Sequence, residues 1–126
     1  MKPEDVAAWE RFVDSFPGYF DSVDYNFALG EGVDVGEAEP ESQRRGFQTL
    51  TQKKVDVVGY RGTTVFIVEV KPIADMRALG QALVYSHLYA ADHPEVTDLQ
   101  RMVVAGEIER ELAPVYAAQG VQFELA

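Results

Sequence analysis

Lys53-Lys54-Val55-Asp56-Val57-Val58-Gly59-Tyr60-Arg61-Gly62-Thr63-Thr64-Val65-Phe66-Ile67-Val68-Glu69-Val70-Lys71 is the stretch on which the fold turns. Two runs rich in β-branched and aromatic residues flank a short glycine-containing turn, the pattern of a β-hairpin. With Arg61-Gly62 as a two-residue loop, Tyr60 faces Thr63 and Asp56 faces Ile67. Asp56 and Glu69 then lie diagonally on one face, with backbones about 7–8 Å apart. Lys71 joins them, because strand side chains repeat every second residue. A three-residue loop would send Asp56 to the other face. Val55, Val57, Phe66, Val68 and Val70 make one face; Val58, Val65 and Ile67 share the other with the charges. Runs this continuously apolar predict strands covered on both sides.

Charged groups at the end of a covered strand are costly unless paired or bound to metal. Two carboxylates with room for water suit Mg²⁺, which takes one or two carboxylates together with substrate phosphate. A lysine beside them can orient a water or hold charge on a transferring phosphoryl group. The same residues also admit a plainer reading, in which Glu69 and Lys71 form a strand-end salt bridge and Asp56 is a solvated edge residue.

The pattern of Asp56 followed by Glu69-Val70-Lys71 resembles the PD-(D/E)XK nuclease superfamily. Gln81 and Tyr85, on the helix that follows, resemble the QxxxY element of its RecB-like members. The likeness is carried by residues 53–85; Val55 stands where the family name has proline. It implies one nuclease-like domain over residues 1–126 with a restriction-endonuclease-like core. It further implies that Asp56, Glu69 and the Val70 carbonyl bind Mg²⁺ or Mn²⁺, and that Lys71 serves the attacking water. Gln81 and Tyr85 would complete the catalytic group. An acid on the first helix often joins the site in this family; Glu10 is the candidate here.

Composition bounds the remaining choices. The chain's 126 residues suffice for one domain, and 47% hydrophobic with 25% charged residues is an ordinary globular balance. No apolar run reaches membrane-spanning length and no signal-peptide core opens the chain, so a cytoplasmic location is expected. Zero cysteines exclude disulfides and thiolate metal sites. The net charge of −10 is unlike that of a general nucleic-acid binder. Its distribution is uneven: residues 1–42 carry −9, residues 43–77 carry +4 and residues 78–126 carry −5. Lys53, Lys54, Arg61, Arg77, Arg44 and Arg45 belong to the basic segment and are candidates for a phosphate-attracting rim, or are solvated charges flanking strands.

Outside the hairpin, residues 3–15 predict an amphipathic helix with Val6, Trp9, Val13 and Phe16 on its apolar face. Alternation over residues 19–29 predicts a half-buried strand, with Val23, Tyr25, Phe27 and Leu29 on one side. Residues 30–42 read as a long polar loop, and residues 43–51 fit either a short helix or a strand start. Asp75 caps a predicted helix over residues 76–91 that is apolar nearly all round and therefore buried. His87 and His93 lack metal-ligand spacing. A strand over residues 101–106, a helical segment over 108–118 and a last strand over 121–125 complete the order α-β-β-β-α-β-α-β. That order predicts a mixed α/β sheet with helices on both faces. Two functions follow: a metal-dependent nuclease acting on nucleic acid, DNA in the first instance, or a catalytically silent nuclease-like module for binding or assembly in a nucleic-acid-processing or phage complex. A nuclease of this size cutting two strands would need a second copy or a partner protein. A metabolic enzyme finds no support, since no phosphate loop or nucleophile elbow is present.

Overall fold

A computed structural model describes residues 1–30, 32, 36, 40, 41, 43–45 and 52–126. The expected loop over 30–42 and the ambiguous segment 43–51 fall largely outside the described residues. Helix α1 spans Pro3–Ser15, followed by strands β1 (Ser22–Leu29), β2 (Lys53–Arg61) and β3 (Thr64–Ala74). Helix α2 (Met76–Asp92) crosses to β4 (Asp98–Ile108). A 3₁₀ turn (Arg110–Leu112) and helix α3 (Ala113–Ala118) lead to β5 (Val121–Leu125). The five strands lie in the order β1-β2-β3-β4-β5; β1, β2 and β3 are antiparallel, and β4 and β5 run parallel to β3. The expected mixed α/β architecture is thus observed. Among the described residues no helix is long and apolar enough to cross a membrane.

The hairpin turns one residue later than the sequence alone would place it, which moves the cross-strand pairing by two. Its loop is Gly62-Thr63, with Arg61 opposite Thr64 and Tyr60 opposite Val65. Gly62 takes a φ of 59°, which fits glycine at the first central position of a two-residue hairpin loop. Because the pairing moves by two residues, Val57, Val58 and the β3 side chains keep their predicted faces. Continuing the register past Val57–Val68 brings Asp56 directly opposite Glu69 rather than Ile67.

The two sheet faces hold separate cores. On the α1 side Ala8, Trp9 and Phe12 pack against Val57, Phe66, Val68, Val70, Met102 and Val104. On the α2 side Ala78, Leu79 and Ala82 meet Val103 and Ala105, while Tyr89 meets Val58, Val65 and Ile67. Gly59 is demanded by this packing: a Cβ there would lie 2.5 Å from the Phe20 ring.

Three expectations about faces are corrected. The buried side of α1 is Asp5, Ala8, Trp9 and Phe12, whereas Val6 and Val13 are exposed. Asp5 is buried because its carboxylate accepts from the Lys2 amide at 2.9 Å and so caps the helix. In β1, Val23 packs on the α1 side but Phe27 and Leu29 pack on the α2 side. Asn26, at a left-handed φ of 51°, breaks the alternation between them. Val55 on β2 packs with Phe27 and Leu29 rather than with Val57, so the break carries into β2 and corrects the face expected for Val55. Finally, α2 is not buried all round: Gly80, Val84 and His87 are exposed.

Candidate functional site

The site forms where the β2–β3 ladder ends. Paired positions stop at Val57–Val68, yet β3 continues to Ala74, three residues beyond its predicted end at Lys71. Past Val68, β3 is paired only with β4 and is open on its β2 side. That opening explains how Pro72 is accommodated within a strand of the sheet's interior. It also leaves backbone groups to be satisfied by side chains. The Val70 amide donates to Asp56 Oδ2 at 2.9 Å, and the Asp56 amide donates to Glu69 Oε1 at 3.4 Å. A strand residue's N–H and C=O leave on the same side, so the Val70 carbonyl faces this open edge as well.

Glu69 is 2% exposed and Asp56 is half-buried. Burial pushes the Glu69 carboxyl up to about 8, and the neighbouring Asp56 adds to the rise through its charge and a hydrogen bond. The Asp56 amide and the Lys71 charge oppose it. Helix α2 brings the remaining partners. Asp75 accepts from the Ala78 amide at 2.9 Å and starts the helix beside the end of β3. Tyr85, one turn after Gln81, is raised above its ordinary value by burial and by the charges of Glu69 and Asp56. Arg77 and a hydrogen bond from Gln81 lower it. Gln81 Oε1 is buried and has no hydrogen-bond partner among the described residues. Lys71 lines a cleft of about 290 Å³ with Arg77, Asp75, Lys2 and Glu4.

Asp56, Glu69, Lys71, Gln81, Tyr85 and Arg77 are therefore gathered in one place. Other expected members are not. No third Asp, Glu, His or Cys joins the carboxylates to make a larger ligand cluster among the described residues. Glu10 is exposed in a groove with Trp9, Asp14 and Tyr25, and its charge does not bear on Glu69. The acids of α1 that line the Lys71 cleft are Glu4 and Asp5, one helical turn or more from Glu10. Arg61 sits at the hairpin tip, its guanidinium 4.9 Å from the centres of the Tyr19 and Phe66 rings. Five strand residues put it about 16 Å from Asp56. Arg45 pairs with Glu41. Lys53 and Lys54 are exposed at the start of β2. Lys2 is the basic residue that sequence reasoning missed: it belongs to the most acidic segment, and no local signal ties it to Lys71.

A divalent cation fits this donor set. The ligands are hard oxygens, one carboxylate is buried with its negative charge poorly compensated, and a buried amide oxygen nearby lacks a partner.

No family model matches the chain, and no curated protein matches it. Solved structures do. A repair endonuclease from Pyrococcus abyssi superposes with a TM-score of 0.58 at 15% identity, over 96% of this chain and 46% of its own. The fold is endonuclease-like. EndoMS, solved as a dsDNA complex, gives a TM-score of 0.57 at 13% identity over 98% of this chain and 44% of its own. The protein of unknown function AF1548 gives 0.53 at 12% identity, over 95% of this chain and 54% of its own. The chain thus spans about half the length of each, and at these identities the likeness is one of fold.

Proposed function

We propose that the chain is a metal-dependent nuclease domain of the PD-(D/E)XK type that hydrolyses phosphodiester bonds of DNA. The observation that carries this reading is the juxtaposition of Asp56 and Glu69 at an open strand edge, beside Lys71 and under Gln81 and Tyr85. Its endonuclease-like fold supports the reaction class, and the EndoMS neighbour supports DNA as substrate.

In this reading Asp56, Glu69 and the Val70 carbonyl hold Mg²⁺ or Mn²⁺. The bound ion supplies a lowered water pKa and stabilisation of charge on the phosphoryl oxygens. Lys71 donates hydrogen bonds to the attacking water and holds it in line with the phosphorus. It also favours the negative charge that develops on the phosphoryl oxygens. Tyr85 and Gln81 fix the direction of Lys71 or of the substrate. Arg77, Lys53 and Lys54 supply the phosphate-attracting rim. Cutting both strands of a duplex calls for a second copy or a partner protein.

The net charge of −10 favours a second reading, a catalytically silent binding or assembly module. One experiment separates the two. The protein is incubated with labelled single- and double-stranded oligonucleotides in Mg²⁺, Mn²⁺ or EDTA, and binding is followed by anisotropy in Ca²⁺. Metal-dependent cleavage that disappears in Asp56→Asn establishes the nuclease. No cleavage and no oligonucleotide binding by the parent protein establishes the module.

A further inference from the structure

We propose that the groove between α1 and β1 docks an arginine-bearing, otherwise apolar segment of a partner protein. The groove encloses about 620 Å³ and lies on the α1 side of the sheet, away from Glu69. Three of the exposed large apolar residues converge on it: Val6 at 37%, Val13 at 46% and Tyr25 at 52%. Trp9, Val13 and Tyr25 also line an adjoining apolar depression of about 210 Å³, which extends the surface towards the end of α1. Apolar side chains gathered this way, rather than scattered singly, mark a surface that meets a partner.

Charge identifies the partner. Glu10 and Asp14 stand one turn apart on α1, and both line the groove. Among the described residues Met1 is at the groove too, but no Lys or Arg side chain lines it. No ion pair or hydrogen bond among the described residues engages either carboxylate. Two features of their placement are unfavourable in the isolated protein. Like charges at this spacing repel along a helix. Asp14 also lies near the helix C-terminus, where the backbone dipole is negative and the last turn holds no basic residue. A cation in the groove relieves both. Guanidinium is favoured over ammonium, because it pairs with carboxylates through a planar fork and stacks on aromatic faces such as the exposed Tyr25 ring. The same two carboxylates disfavour nucleic acid as the occupant.

Trp9 makes the test direct. It is the chain's single tryptophan, and its indole N–H donates to Tyr25 Oη at 3.0 Å within the groove wall. A ¹⁵N NMR titration at physiological salt uses a blocked hexapeptide of alternating leucine and arginine, and its counterpart with glutamate for arginine. The arginine peptide should shift the Trp9 indole and the Val6–Asp14 amides saturably, and the glutamate peptide should not. Glu10→Gln with Asp14→Asn should weaken binding by about tenfold or more, about 1.4 kcal/mol. Glu107→Gln with Glu109→Gln removes the same charge from an exposed site elsewhere and should leave the affinity unchanged. Equal losses in the two double variants, or equal shifts from both peptides, overturn the proposal. Trp9 shifts produced by raising the protein concentration alone would assign the groove to a second copy. Trp9 shifts produced by a duplex oligonucleotide would assign it to the nucleic-acid path. Either outcome overturns the proposal, and neither depends on whether the protein cleaves DNA.

Discussion

On the α1 side of β3, Phe66, Val68 and Val70 sit in an apolar layer with Ala8, Trp9 and Phe12; on the α2 side, Ile67 is followed by Glu69, a carboxylate just as buried. The α1 layer is built from rings in contact, with Trp9 and Phe12 centred 5.2 Å apart and Phe20 and Phe66 likewise 5.2 Å apart. The α2 layer admits polar groups and partners most of them: Arg101 Nε donates to the buried Ser86 Oγ at 2.7 Å, and Asp56 takes the Val70 amide at 2.9 Å. Consecutive residues of one strand thus serve opposite ends. The apolar layer holds the sheet together and denies water to the site behind it. That denial raises the proton affinity of Glu69 and makes the carboxylate pair receptive to a cation.

Substitutions on the two sides should therefore separate stability from chemistry. Phe12→Ala should cost about 3–5 kcal/mol in urea unfolding, by loss of burial and creation of a cavity. Glu69→Gln, at an equally buried position, should leave metal-free stability unchanged or raised, because it removes a buried carboxyl that must take up a proton on folding beside Asp56. A loss in Glu69→Gln as large as in Phe12→Ala would erase the contrast between the faces. Lys71→Ala should lower the cleavage rate roughly 10²–10³-fold while the urea midpoint and calorimetric Mg²⁺ binding hold. Cleavage at the parental rate would remove Lys71 from the mechanism.

The pH dependence sharpens the comparison further. Glu69 titrates at about 8 when folded against an ordinary 4.5, so between these values the folded form keeps a proton that the unfolded chain has released. Stability of the metal-free protein should therefore fall as pH rises through that window, with no contribution from this group below it. Mg²⁺ should oppose the fall, and Glu69→Gln should flatten it. A melting profile equally steep in the variant would assign the slope to other groups. The smallest effects concern the two sets of basic residues. Arg61→Ala should cost only about 0.5–1 kcal/mol by loss of its contact with Tyr19 and Phe66, and leave oligonucleotide affinity unchanged. Lys53→Gln with Lys54→Gln should weaken binding to all sequences alike and reduce the salt slope by about 1 for each lysine lost. A larger affinity loss in Arg61→Ala would place the hairpin tip on the nucleic-acid path.

Several of these distinctions were open to sequence reading because they rest on short-range rules. A period of two put Asp56, Glu69 and Lys71 on one face, and it survived the displaced loop because the register moved by two residues. The bounds of α1 and the Asp75 cap of α2 follow from local chemistry, proline in the first turn of one and a carboxylate three residues before an amide in the other. The grouping of Gln81 and Tyr85 follows from helical spacing. The left-handed turn at Asn26 was not legible, since asparagine tolerates that conformation without requiring it. Nor was the buried side of α1 legible, because both Val6–Val13 and Ala8–Phe12 make apolar stripes, and only the facing sheet selects between them.

By itself, then, the sequence determined the element order, the mixed α/β architecture and the sharing of one strand face by two carboxylates and a lysine. Tertiary structure alone decided that the β2–β3 ladder ends beside Asp56, opening an edge where its carboxylate takes the Val70 amide. It also decided that Lys2 and Glu4 approach Lys71 while Glu10 and Arg61 do not. The physical reason is the range of the governing interactions. Periodicity, capping and turn chemistry act within a few residues and are written into neighbouring side chains. Where a ladder stops, which stripe of a helix is covered and which charges meet across the sheet depend on packing between elements far apart in the chain.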